Sequence, residues 1–345
     1  MICGRQTARE QTVKKTLLAV LFFVMALSVA QAQKVTGAGA TFPYPIYSKW
    51  FTEYSAAHPG VQVNYQSIGS GGGIKQVCSG TVDFGASDMP MTDDLLKSCG
   101  VKVINLPTVL GADVPAYNVP GVTAELKFSQ SVLADIFLGK ITQWNDPRIA
   151  KDNPGVNLPG DKIIVVHRSD GSGTTFIWTD FLSKVSNEWK NGPGSGTAIN
   201  WPTGVGGKGN EGVSAQIRQF PGAIGYIELI YAVQNHINFG SVQNADGKFV
   251  KASIDGVTIA GATAKIPADY RVSITNAPGS NAYPVSSFTY LLIPTQPKDM
   301  AKEKVIKDML NWIITSGENE ASSLSYAPLP QALAAKVLKT VYSLP

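Results

Sequence analysis

The chain has 345 residues, 44% of them hydrophobic, with 34 glycines and 21 prolines, the composition of a globular α/β protein with many tight turns. Its 29 basic and 25 acidic residues give a formal charge of +4, but four of the basic residues and one acidic residue lie in the first 32. The remaining 313 residues carry 25 positive against 24 negative side chains, so nothing marks the chain as a partner of nucleic acid or an anionic membrane.

Residues 1–32 read as a cleaved signal peptide. Arg5, Arg9, Lys14 and Lys15 precede an apolar run from Thr16 to Ala30, and Ala30-Gln31-Ala32 fits a small-residue cleavage site. The run is about 15 residues, short of the roughly 20 that span a bilayer. An uncleaved anchor is the alternative, and no lipobox-like cysteine follows. Export bears on the cysteines: Cys3 falls in this segment, leaving Cys78 and Cys99. One disulfide is favoured, closing a loop of about 20 residues and contributing about 3 kcal/mol; two separate buried thiols are the alternative.

The 313 residues that follow suit two lobes rather than one core. Ile46, Tyr47, Trp50, Phe51 and Tyr54 form a helical stripe that ends before His58-Pro59-Gly60. Val61–Tyr65 alternates as a strand, Ile74 to Cys78 continues as a short helix, and Val82–Ala86 is the next strand. Strand, loop, helix, strand is the signature of parallel α/β units. Val101–Val109 reads as a buried strand, with Ala116-Tyr117-Asn118 carrying the chain towards a second region. There, Ser131–Phe137 and Gln143–Ala150 read as helices, Ile163–Val166 as a core strand, Phe176–Val185 as a helix and Ala223–Ile227 as a strand. Residues 240–280 show only turns and weak alternation; Ser287–Ile293 is a strand, and two amphipathic helices follow, through Val305–Ile313 and Leu333–Val341.

Three Gly/Ser/Thr-rich loops stand out: Thr36–Phe42, Gly69–Gly73 and Arg168–Thr175, each opening into a helical segment. A helix start exposes unpaired N–H groups and a partial positive charge, glycines allow close backbone approach, and hydroxyls add donors. With one arginine and few other basic residues nearby, this chemistry suits a small, caged oxyanion rather than a polymer. Arg168 offers a planar, permanently charged fork, and Asp170 can orient it; a surface ion pair is the alternative. His167 adjoins it, but strand alternation points its side chain away from such a site.

Other chemistries lack their parts. Gly37-x-Gly39-x-x-Phe42 has no third glycine of a dinucleotide fingerprint, and Gly204-x-x-Gly207-Lys208-Gly209 has neither the spacing nor the Ser/Thr of a phosphate-loop NTPase. No metal-ligand cluster is evident, so no cofactor and no metal are expected. Ser70 and Ser172 lack the frame of a nucleophile elbow, so no enzyme is expected. Asp88 is the odd residue, because a carboxylate repels an anion in a dry pocket. A ligand that carries a proton, as phosphate does near neutral pH and sulfate does not, would give Asp88 something to accept. Capping of a helix from Met91 onward is the alternative.

Thr-Gly-Ala-Gly-Ala-Thr-Phe-Pro, Ile-Gly-Ser-x-Gly-Gly, Asp-Phe-Gly-Ala-Ser-Asp, Arg-x-Asp-Gly-Ser-Gly-Thr and Trp-Pro-x-Gly-x-Gly-Gly-Lys-Gly-Asn occur here in that order. Together they resemble the periplasmic phosphate-binding proteins of ABC phosphate importers. The resemblance implies an α/β, two-lobed periplasmic-binding-protein fold (type II), each lobe a mixed sheet flanked by helices. Lobe I would comprise residues 33–117 plus 284–345, and lobe II residues 118–283. It also implies a monomer that closes on inorganic phosphate and delivers it to an inner-membrane permease. Carried over, the phosphate ligands would be Thr41, Phe42, Ser70, Asp88, Arg168, Ser172, Gly173 and Thr174, with Asp88 accepting the phosphate proton and Asp170 behind Arg168. Gly71 stands where many relatives have a second serine, His167 where a basic residue is common, and the cysteine pair is not a family hallmark. A sulfate or molybdate binder, a phosphatase using Ser172 or Thr174, and an adhesive surface protein are the rival readings.

Overall fold

The computed structural model describes residues 33–345; the expected signal segment lies outside them. In chain order the strands are β1 (Gln33–Gly39), β2 (Val61–Ser67), β3 (Phe84–Ser87), β4 (Val103–Asn118), β5 (Lys127–Phe128), β6 (Ile164–Arg168), β7 (Val205–Gly207), β8 (Ala223–Glu228), β9 (Asn238–Phe239), β10 (Ser241–Gln243), β11 (Phe249–Val250), β12 (Ser286–Pro294) and β13 (Ala327–Pro328). The helices are α1 (Tyr44–Ala57), α2 (Ser70–Cys78), α3 (Asp93–Ser98), α4 (Gln130–Phe137), α5 (Pro147–Asp152), α6 (Gly173–Val185), α7 (Asn187–Asn191), α8 (Gly209–Gln219), α9 (Leu229–Gln234), α10 (Ile254–Ala262), α11 (Met300–Thr315) and α12 (Gln331–Tyr342).

The main sheet runs β2-β1-β3-β12-β4-β8-β6-β7. At one end β2, β1 and β3 are parallel, at the other β8, β6 and β7 are parallel, and β12 and β4 join the two sets antiparallel. β4 belongs to both halves. It pairs with β12 from Val103 to Ala112 and with β8 from Asp113 to Asn118. A strand buried along nearly its whole length can do this because it has partners on both sides. Helices cover the sheet, and α1 buries Ile46, Tyr47, Trp50, Phe51 and Tyr54, as its apolar stripe requires.

Three readings of the sequence need correction. The first glycine loop is largely strand: Thr36–Gly39 belongs to β1, between β2 and β3. A side chain on Gly37 would overlap the Phe84 ring, and one on Gly39 the Ala86 backbone, so these glycines serve strand packing. The helix expected over Gln143–Ala150 is only α5, because Gln143 bridges to Lys162 and the helix starts at Pro147 behind an Asp146 cap. The cap of the helix after Met91 is Thr92, which accepts from the Leu95 amide at 3.3 Å, so Asp88 does not cap it. Cys78 and Cys99 are bonded, with Cα atoms 4.7 Å apart, which ties the end of α2 to the residue after α3.

Candidate functional site

The parallel strands of both halves end at one place. The chain leaves β1 at Gly39 towards Thr41, β3 at Ser87 towards Asp88, β6 at Arg168, and β7 at Gly207 towards Asn210. Ligands of open α/β sheets collect at the carboxyl ends of strands, where helix N-termini also gather. Here α2 begins at Ser70, α6 at Gly173 and α8 at Gly209. The structure brings Thr41, Ser70, Asp88, Arg168, Ser172, Gly173 and Thr174 together, all with almost no solvent exposure.

Bonds across the two halves hold the site closed. The Gly173 amide donates to Ser70 Oγ at 3.0 Å, and the Gly71 amide to the Gly171 carbonyl at 2.9 Å. Tyr231 Oη donates to the Thr41 carbonyl at 2.7 Å. Phe42 is fully buried, with its carbonyl accepting from Tyr326 Oη at 2.6 Å. The glycines permit this approach. A Cβ on Gly173 would overlap Asp88 Oδ2 and Ser70 Oγ, and one on Gly69, where φ is +87°, would overlap Asp170 Oδ2. At Gly71, a Cβ would lie 3.2 Å from the Gly171 Cα, so an added side chain would crowd the facing backbone.

Arg168 is 3% exposed and its guanidinium is fixed on three sides. Nε donates to Asp170 Oδ1 at 2.8 Å, Nη2 to Asp170 Oδ2 at 2.6 Å and Nη1 to Thr174 Oγ1 at 3.2 Å. Burial alone would raise the Asp170 carboxyl, but the bonds from Arg168 and the Gly209 amide hold it below its ordinary value. The guanidinium charge is therefore largely offset. Behind Arg168, Tyr226 Oη accepts from its amide at 3.0 Å, and the Tyr226 ring stacks between Trp178 and Trp201. His167 stacks on Trp201 with a ring centroid distance of 4.7 Å, and burial lowers its pKa.

Asp88 is fully buried. Oδ1 accepts from Thr289 Oγ1 at 2.8 Å, and Oδ2 lies 3.5 Å from Ser70 Oγ. A break in the β12–β4 register between Thr289 and Tyr290 lies at this contact. Burial pushes Asp88 up to about 7, while Thr289, Arg168 and Ser70 pull it back. Two further buried acids, Asp113 and Glu228, face one another across the β4–β8 register. Burial raises both well above the usual carboxylate range; neighbouring acids raise Asp113 further, whereas hydrogen bonds to Glu228 oppose its rise.

The sequence reading missed Asn210, Thr289, Tyr226 and Tyr231. Asn210 is fully buried and touches both halves. Its signal was present: Gly207-Lys208-Gly209-Asn210 opens a helix, and Asn210 ends the last of the five motifs that carry the resemblance, which assigns it no ligand role. Thr289 comes from a strand over 200 residues away from Asp88, and no local pattern marks it.

The sheet is two-lobed, with a buried polar site where its parallel strands end. The family model described as "PBP superfamily domain" matches residues 8–316. The chain is 48% identical over 329 residues to a phosphate-binding protein PstS of Pasteurella multocida, covering 94% of each chain. It is 45% identical over 307 residues to one of Xylella fastidiosa, covering 88% of this chain and 84% of that one. Among solved structures, a high-affinity periplasmic phosphate-binding protein (PfluDING) bound with phosphate is similar at a TM-score of 0.71 and 20% identity, over 88% of this chain and 93% of that one. The chain belongs to the PstS phosphate-binding proteins of the PBP superfamily.

Proposed function

We propose that this protein captures inorganic phosphate between its lobes and delivers it to an ABC-type phosphate permease of the inner membrane. It would act as a monomer in the periplasm, after loss of residues 1–32. Among the described residues no helix is long and apolar enough to cross a membrane. The lobes are residues 33–117 plus 284–345, and residues 118–283; the change of β4 partner at Ala112/Asp113 supports a division close to this one.

One observation carries the reading: a buried acceptor, Asp88, lies at the strand ends beside buried hydroxyl and N–H donors. Arg168 contributes the guanidinium hydrogens that Asp170 and Thr174 leave free. Ser172 Oγ accepts from the Thr175 amide at 3.0 Å, which leaves its hydrogen to donate. Thr41 and Thr174 contribute hydroxyls, and the starts of α2 and α6 add partial positive charge; Ser70 Oγ and the Gly173 amide, which bond each other at 3.0 Å, would turn to the anion when it enters. The Phe42 amide completes the set from the β1 side. An anion with one proton and several bare oxygens matches this pattern; sulfate leaves Asp88 facing a like charge with nothing to accept.

The test is calorimetric titration of phosphate, then sulfate, into protein unfolded and refolded to remove carried-over ligand. Tight one-to-one phosphate binding with silent sulfate is expected. Equal binding of both removes the role given to Asp88, and silence with both removes the function.

A further inference from the structure

We infer that Asn210 is a positioning residue that locks the Thr41 and Thr174 hydroxyls, one from each side of the cleft, as hydrogen-bond donors towards the anion. The inference rests on the oxyanion reading of the site and extends it to how the ligand's proton is directed.

The argument begins with a fixed orientation. Asn210 Oδ1 lies 3.0 Å from the Glu228 amide, which can only donate, so Oδ1 is the acceptor and Nδ2 faces the threonines. Nδ2 has two hydrogens and two partners, Thr41 Oγ1 at 2.8 Å and Thr174 Oγ1 at 3.1 Å. The Asn210 amide adds a second bond to Thr41 Oγ1 at 3.2 Å, and Arg168 Nη1 a second bond to Thr174 Oγ1 at 3.2 Å. Neither an amide nor a guanidinium can accept. Each threonine oxygen therefore takes two bonds, one per lone pair, and its single hydrogen is left to donate to a third group.

The consequence is selective. At Thr41 and Thr174 the site accepts only bare, unprotonated ligand oxygens. Asp88 is on the opposite footing, since its oxygens accept from Thr289 and Ser70. A partly protonated oxyanion then has to keep its protonated oxygen away from Thr41 and Thr174, and Asp88 is a group that can accept from it. Asn210 need not touch the ligand to impose this.

The test uses the purified protein, refolded without ligand, titrated calorimetrically with inorganic phosphate at pH 5.5, 7 and 8.5. Asn210→Asp keeps an acceptor for the Glu228 amide but replaces the NH2 group by an oxygen that demands the threonine hydrogens. The wild type shares Asp88, Asp113, Glu228, Asp170 and Arg168 around this position, so the ratio to wild type isolates the new group. That ratio should show a loss of at least 100-fold at pH 8.5 and should recover in part at pH 5.5, where the introduced carboxyl is protonated and donates its one hydrogen to one of the two threonines. Asn210→Ala should lose about 10-fold by the same ratio at every pH. In a Thr41→Val background the Asn210→Ala loss should shrink by half or more, a readout that does not depend on the Asp variant folding at high pH. Equal, pH-independent losses in both Asn210 variants, or losses that simply multiply in the Thr41→Val background, would overturn the inference. A wild type silent to phosphate overturns the functional reading, and the inference with it.

Discussion

Asp88→Asn tests the chemistry most directly, because it changes one atom of a fully buried side chain. Oδ1 can still accept from Thr289, while Oδ2, 3.5 Å from Ser70 Oγ, is exchanged for a donor. Phosphate then loses a charge-assisted bond to its proton, about 1.5–3 kcal/mol, which is roughly 10- to 150-fold in affinity. Sulfate moves the other way, since it loses a facing negative charge and gains a donor. The phosphate-to-sulfate ratio should therefore fall by more than phosphate affinity alone.

A second readout comes from linkage. Burial raises Asp88 from 3.8 to about 7, so the folded state favours its protonated form. Its contribution to stability is complete below the unfolded value and is lost as pH rises through about 7. Three units at about 1.4 kcal/mol per unit set an upper figure of about 4 kcal/mol for the closed state. The ligand-free variant should lose less stability than the wild type between pH 4 and 7. Calorimetric titration with both anions, with melting curves across that range, measures both effects. An unchanged ratio together with an unchanged pH slope would refute the role of Asp88.

Arg168→Lys keeps the charge but loses the fork that meets Asp170 through two nitrogens, and calorimetry should show phosphate binding weakened by about 100-fold, equivalent to about 3 kcal/mol. Gly173→Ala puts a methyl group into Asp88 and Ser70 across the cleft. Overpacking of about 1–3 kcal/mol should weaken phosphate by roughly 5- to 150-fold, and small-angle scattering with phosphate should report a more open molecule. Cys78→Ser with Cys99→Ser opens a loop with a sequence separation of 21, and denaturant titration should show a loss of about 3 kcal/mol while phosphate stoichiometry stays at one.

The sequence by itself determined whatever close neighbours along the chain decide. Arg168 and Asp170 are two residues apart, so their pairing follows from the local turn, and Ser172 capping α6 through the Thr175 amide is equally local. The stripe of α1 and the buried run that opens β4 were legible for the same reason, because periodicity reports which face is covered. Tertiary structure decided the rest. The glycines at 37 and 39 look like loop residues until β3 packs beside them, and only β12 and β8 together show how far β4 extends. Thr289 reaches Asp88, and Asn210 reaches Thr41, across 201 and 169 residues, so strand order alone brings these donors and acceptors into range. Hydrogen-bond polarity depends on which atoms meet, and in a cleft assembled from strand ends those meetings are set by the sheet.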